Sequence, residues 1–297
     1  MKKRMSGFSG KTSGLINSYD LKKFRFKLLY WSMFLFLIIV TVICLFPSVW
    51  IFLSGFKERE EFYTSGLFPK TIRLSKLVDV WNMLNFWKYY LNTLVIMAGD
   101  LVFCIVFNGL TGYIISRIRP KGTKLLITII FWTMLLPTTV NMIPLYMSFV
   151  KVPIFGINIT NTYIPMWLMS GANAFYILLF RSFFDSISMS YIEAARIDGC
   201  TTLGIFARII LPLSKPIIMV VSIFTVTGSW GNFLWPYLVV HNPEMRPITV
   251  QLFELRRIVA DDAYMLVLLF TIIPPAILYL IFSRHIMGGV DIGGVKE

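Results

Sequence analysis

Few side chains in this 297-residue chain have types and spacing suited to covalent chemistry. The two histidines, His241 and His285, lie far apart and offer neither a metal pair nor a catalytic dyad. The three cysteines, Cys44, Cys104 and Cys200, have no metal-ligand spacing and suggest no disulfide framework. Gly10-Lys11-Thr12 ends like a phosphate-binding loop. Met5 stands where that motif requires its first glycine, and no strand precedes it, so it reads as basic tail. No HExxH and no nucleophile motif is present. The sequence therefore predicts a non-enzymatic chain with no metal and no cofactor of its own.

The informative stretch is a polar island from Glu193 to Pro212, EAARIDGCTTLGIFARIILP. Ser190-x-x-Glu193 has the form of a capping box and predicts a helix beginning at Ser190. Ala194 and Ala195 are strong helix formers with little bulk, suited to close contact with a partner. Gly199 permits the left-handed turn that ends a helix. Thr201 or Thr202 would cap a second short helix, and Pro212 would stop it.

The surrounding chain must place this island. It is 57% hydrophobic and 14% charged, against about 25% charged in soluble domains. That composition predicts an all-α integral membrane protein. Residues 1–27 form a basic tail, and residues 28–297 form one membrane domain with the island in a loop at about 185–212. Apolar runs fall at about Leu28–Leu53, Asn92–Ile115, Leu125–Val150, Thr162–Phe184, Pro216–Val240 and Tyr264–Ser283. Each is long enough for the ~30 Å hydrocarbon core, giving six transmembrane helices. The first is too long, and its end too bulky, for a cleaved signal peptide.

Charge orients these spans. With the N-terminus inside, cytoplasmic segments hold 18 of the 28 Lys and Arg, and outer segments hold 10. The positive-inside rule then puts both termini and the Glu193 loop in the cytoplasm. The net charge of +13 follows this topology, so nucleic acid is the weaker reading. The aromatic-rich outer segment 55–91 suggests short interfacial helices. The outer segment 241–263, with Arg256, Arg257, Asp261 and Asp262, is either a solvated face or a contact for an extracellular binding protein.

Polar residues inside the spans are costly and face a cavity or a neighbouring helix. They include Asp100, Asn108, Thr138, Thr139, Asn141, Thr227, Ser229, Trp230 and Asn232. Pro137 and Pro144 should break the third span. Trp230 near Asn232 suits a sugar, the ring for its apolar face and the amide for its hydroxyls. Asn141, Trp230 and Asn232 are thus candidates for a solute path.

Glu193-Ala194-Ala195, Gly199 and Ile209-x-Leu211-Pro212 match at full spacing the EAA loop of ABC importer permeases. The resemblance covers about residues 28–297 and is nearest to the maltose-transporter type, in the subunit that ends soon after its sixth span. Its other signs are Asn92-Thr93, Gly112-Tyr113 with Arg117, Ile143-Pro144-Leu145, Phe183-Phe184-Asp185, Ile197-Asp198-Gly199, Phe233-Leu234-Trp235-Pro236 and the glycine-rich end from Gly288. Where that family often has Trp-Asn and then an acidic residue, this chain has Trp230-Gly231-Asn232.

The resemblance implies a cytoplasmic EAA coupling helix that docks into a separate ATPase subunit. Glu193, Ala194, Ala195, Asp198, Gly199, Ile209, Leu211 and Pro212 would carry that contact. It also implies a second permease subunit, in a heterodimer, two ATPase subunits that hold ATP and Mg, and an extracellular sugar-binding protein. The location would be the bacterial cell membrane, with multiple passes. A permease for a non-sugar solute is the nearer alternative. An ion-coupled carrier is the other; it would need midplane carboxylates or repeated broken helices, and Asp100 is the acidic residue that lies within a span.

Overall fold

The computed structural model describes residues 24–64 and 66–288. The basic tail before residue 24, with Gly10-Lys11-Thr12, and the glycine-rich end after residue 288 lie outside the described residues. Among the described residues every regular element is a helix. In chain order these are α1 (Phe24–Gly55), α2 (Arg59–Phe62), α3 (Ser75–Met83), α4 (Phe86–Ile118), α5 (Thr123–Leu135), α6 (Thr138–Val150) and α7 (Ile164–Gly171). There follow α8 (Ala174–Ser186), α9 (Met189–Ile197), α10 (Thr202–Leu213), α11 (Lys215–Gly231), α12 (Leu234–Val239), α13 (Ile248–Leu255) and α14 (Asp261–Gly288).

Three helices, α1, α4 and α14, are long and apolar enough to cross a membrane alone. Two bent pairs pass as units, α5 with α6 at 108° and α10 with α11 at 80°, so length and composition support three to five spans. The third expected run is therefore not one straight helix. Pro137 cannot donate a backbone bond and drives Leu136 to an extended ψ of 127°. Pro144, expected to break this span too, lies inside α6 without interrupting it. The fourth expected run, Thr162–Phe184, is divided at Ala172-Asn173 into α7 and α8, each too short to span alone.

The helix α4 is the axis of the packing. Near its start, Phe86 joins Trp230, Ile248, Tyr264, Leu266 and Phe270 in a buried cluster, with the Trp81 ring stacked on Phe86. Near its end, Cys104 and Tyr113 join Phe180, Phe184, Ile192, Ala195, Ile205, Phe206 and Ile210. A third cluster gathers Ile96, Phe149, Met166, Val239 and Val240. The outer aromatics divide accordingly: Phe86, Trp81 and Tyr90 pack inward, while Tyr63, Phe68 and Trp87 are exposed. Helix α1 lies along α14 and keeps most of its apolar side chains exposed, as a helix needs when its neighbour is hydrocarbon.

Glycine sets one close approach. A Cβ on Gly112 would stand 2.9 Å from Phe180 Cβ and 3.1 Å from Arg181 N, so only glycine lets α4 and α8 pack this tightly.

Candidate functional site

The polar island forms a helical hairpin, α9–Gly199–α10. Helix α9 starts at Met189, one residue before the expected Ser190. Its N-cap is Ser188, whose hydroxyl accepts from Ser190 N at 3.4 Å. Glu193 therefore lies two positions past the one that closes a capping box, and that expectation is corrected. The C-terminal end follows the glycine. Gly199 has φ +75°, Cys200 N donates to Ala195 O at 2.9 Å and Gly199 N to Arg196 O at 3.0 Å. This is the paired-bond arrangement that closes a helix through a left-handed residue. Of the two threonines, Thr201 is the cap: its hydroxyl accepts from Gly204 N at 3.1 Å.

Pro212 stands one residue before the end of α10. The helix runs through a wide-turn segment at Phe206–Ile210 and ends at Leu213, and the chain bends at Ser214. Ser214 is fully buried, and its hydroxyl donates to Ile210 O at 2.6 Å.

The eight residues expected to couple fall into two groups. Ala195 is 4% exposed and packs inward beside the fully buried Ile192, and Ile209 and Leu211 pack against the same cluster. The small size of Ala195 thus serves this chain's own core. Glu193, Ala194, Asp198, Gly199 and Pro212 are exposed. So are three apolar side chains outside the expected coupling set: Tyr191, Leu203 and, at 87%, Ile197. An isoleucine left this open at a turn is a signal legible in retrospect from Ile197-Asp198-Gly199.

The hairpin is fastened to the bundle by the Gly112-Tyr113…Arg117 signature. The Tyr113 hydroxyl donates to Thr202 O at 3.3 Å. The Arg117 guanidinium donates to Phe184 O and Ile187 O, satisfying carbonyls left open where α8 ends. Asp185 accepts from Ser116 Oγ at 2.7 Å and pairs with Arg119 at 3.4 Å and Arg181 at 3.6 Å.

A second polar region lies halfway along α4. Asp100 is 2% exposed; its Oδ2 accepts from Ser229 Oγ at 2.6 Å, and its Oδ1 has no partner. Asp100 thus lies deep in the span rather than near its outer end. It borders a cavity of about 200 Å³ lined by Ser170, Asn173, Tyr176, Thr225, Gly228, Ser229 and Asn232, among others. The break between α7 and α8 opens onto this cavity. There Asn108 Nδ2 donates to Ser170 O at 2.8 Å, and Asn108 Oδ1 accepts from Asn173 N at 3.0 Å. Broken backbone at membrane depth is tolerated where it is so satisfied or borders a cavity.

The three solute-path candidates are not brought together. Trp230 is 6% exposed, in the aromatic cluster at the start of α4, with its ring edge against Tyr90. Asn232 borders the Asp100 cavity, and Asn141 is exposed on α6. No group of His, Cys, Asp or Glu among the described residues is arranged to hold a metal ion.

At the other end, Asn92 Nδ2 donates to Glu244 O at 2.9 Å and Arg246 O at 3.0 Å, and Thr93 Oγ1 accepts from Ile248 N at 2.9 Å. The Asn92-Thr93 signature therefore pins segment 242–248 onto α4. Arg256 pairs with Asp261 at 2.6 Å, and that hydrogen bond holds its guanidinium above the usual range; the Tyr63 hydroxyl donates to the same carboxylate at 3.0 Å.

Residues 108–291 match the family described as the binding-protein-dependent transport system inner membrane component. The arabinooligosaccharides transport system permease protein AraQ of Halalkalibacterium halodurans is 26% identical over 91% of this chain and 97% of its own. The galactooligosaccharides transport system permease protein GanQ of Bacillus subtilis is 29% identical over 93% and 99%. The fold matches a chain of a bacterial ABC transporter that imports the acidic polysaccharide alginate, with TM-score 0.78 and 23% identity over 92% of this chain and 99% of that one. The chain belongs to the family of inner membrane components of binding-protein-dependent transport systems.

Proposed function

We propose that this chain is the permease subunit of an ATP-driven carbohydrate importer, with an oligosaccharide as its solute. The observation that carries the reading is the EAA spacing on a hairpin whose inward residues, Ile192 and Ala195, anchor it while Glu193, Ala194, Ile197 and Leu203 stay open. The hairpin is the coupling element and docks into an ATPase subunit, which binds ATP and Mg; this chain binds neither. Two such ATPases, a second permease and an extracellular sugar-binding protein complete the complex. The sugar-permease relatives support carbohydrate over another solute.

In this reading the chain crosses the bacterial cytoplasmic membrane six times, with α7 and α8 as one broken crossing. Both termini are cytoplasmic, as the distribution of Lys and Arg favours. Closure of the ATPases moves α9 and α10 through the bend at Ser214 and rocks α11, so the pathway alternates between the two sides. The solute path follows the cavity beside Asn232, with Asn141 on its partner-facing side. Trp230 supports the wall from behind.

The test is cross-linking in membranes that hold the assembled transporter. Ile197→Cys, treated with a short thiol–amine cross-linker, should join this chain to the ATPase subunit. An intact complex that yields no such adduct would overturn the docking assignment.

A further inference from the structure

Asp100 is a charge-bearing side chain that the coupling machinery does not use. By the 1.5 Å rise of a helix it stands about 21 Å from Phe86 and about 27 Å from Ile118, close to the middle of α4. A carboxylate at that depth is expensive, and such residues face water-filled paths or bound partners. No cation offsets this one: the residues that line its cavity include no Lys, Arg or His. Its Oδ1 has no hydrogen-bond partner, and the Ser229 hydroxyl on Oδ2 is neutral. The chain as a whole carries +13, yet Asp100 is the one Asp, Glu, Lys, Arg or His that lines this cavity. The remaining polar lining, Ser170, Asn173, Tyr176, Thr225 and Asn232, consists of neutral donors and acceptors of the kind that exchange hydrogen bonds with hydroxyl groups.

We infer that Asp100 acts as an anion-excluding filter, so that this subunit's path admits neutral polyhydroxy solutes and rejects those bearing carboxylate or phosphate. The inference rests on the reading of this cavity as part of the solute path. The carboxylate works through its field, which is strong where low-dielectric walls surround it. It needs no direct contact with the solute. The cavity, at about 200 Å³, is smaller than the ~300 Å³ and upward of pockets for drug-sized ligands. It therefore has room for one ring at a time, held at close range to the charge. A uronic acid or sugar phosphate would meet repulsion that a neutral hexose or pentose unit would not.

The field can be read without knowing the solute. Gly228 lines the cavity, and a Cβ built on it meets nothing within 4 Å, so Gly228→Cys places a thiol in open space. In the assembled transporter, with Cys44 and Cys200 replaced by Ser, that thiol is treated with a cationic and an anionic methanethiosulfonate reagent. The chain without the new cysteine serves as the control for Cys104. The cationic-to-anionic rate ratio, normalised to a small free thiol, should be raised by about tenfold or more. It should fall toward one in Asp100→Asn. A ratio equal in the two backgrounds, or a thiol that neither reagent reaches, overturns the proposal.

Should Asp100→Asn fail to assemble, salt provides the second arm on the natural carboxylate. The preference should shrink as ionic strength rises from ~0.01 M to ~1 M and the Debye length falls from ~30 Å to ~3 Å. A preference that does not move with salt overturns the filter. These outcomes depend on neither ATP hydrolysis nor sugar uptake. Loss of the filter is therefore distinguishable from failure of the importer reading, which the Ile197 cross-link tests.

Discussion

Two places where a helix stops, Gly199 and Ala172-Asn173, are held in opposite ways. At Gly199 the chain closes its own end: Gly199 and Cys200 donate to carbonyls three and five residues back. Everything that turn needs is local, and it stands exposed. At Asn173 the break is inside the bundle, and its loose groups, Ser170 O and Asn173 N, are satisfied by Asn108 from another helix. The first interruption is self-contained at the surface. The second is a fixed feature of the wall beside the Asp100 cavity. Exposure lets a turn depend on one permissive residue; burial obliges every backbone group to find a partner.

The largest effect should come from removing that partner. Asn108→Leu leaves a part-buried carbonyl and a part-buried amide unpaired, at up to about 1–3 kcal/mol each. The purified protein should unfold at clearly lower temperature, with an overall loss of roughly 2–5 kcal/mol. Asn108→Asp, which keeps an acceptor for Asn173 N, should lose less. A thermal midpoint unchanged in Asn108→Leu would mean the break is held by something else.

Gly199→Val should cost less stability, about 1–2 kcal/mol, because a β-branched residue at positive φ is strained even where space is open. Its effect should appear in function instead. Expression and insertion should persist, while uptake and binding-protein stimulation of ATP hydrolysis fall sharply. Gly199→Asn, which tolerates the left-handed region, should restore much of both. Normal uptake in Gly199→Val would show that the turn's direction does not matter to coupling.

The caps should be smaller still. Thr201→Ala removes a 3.1 Å bond at the start of α10 and should cost about 1 kcal/mol. Ser188→Ala, whose bond is 3.4 Å, should cost about 0.5 kcal/mol. Hydrogen exchange at the first turns of α10 and α9 would rank them; the reverse order would argue that the α9 cap matters more than its length suggests.

Much of the hairpin was legible because its determinants are short-range. Gly199 announces a positive φ, and a threonine at 201 or 202 announces a cap; both readings hold. The start of α9 was misread, since Ser188 and Ser190 are equally good caps in sequence and only the backbone distinguishes them. Pro212 was a sound stop signal: α10 ends one residue past it, at Leu213, before the bend into α11. Trp230 near Asn232 suggested one site, but the helix ends at Gly231 and Asn232 is extended, so one side chain goes into an aromatic core and the other borders a cavity.

Composition and charge by themselves determined that the chain is helical and apolar, and the spacing from Glu193 to Pro212 determined which segment stands apart. These follow from properties that act residue by residue: transfer into hydrocarbon, helix propensity, the freedom of glycine. Only the tertiary structure decided that Ala195 packs inward while Ala194 stays open, that Asn108 holds a break across 62 and 65 residues of chain, and that Asp100 faces a cavity without a cation. Those facts depend on which helix lies beside which, and no local preference carries that information.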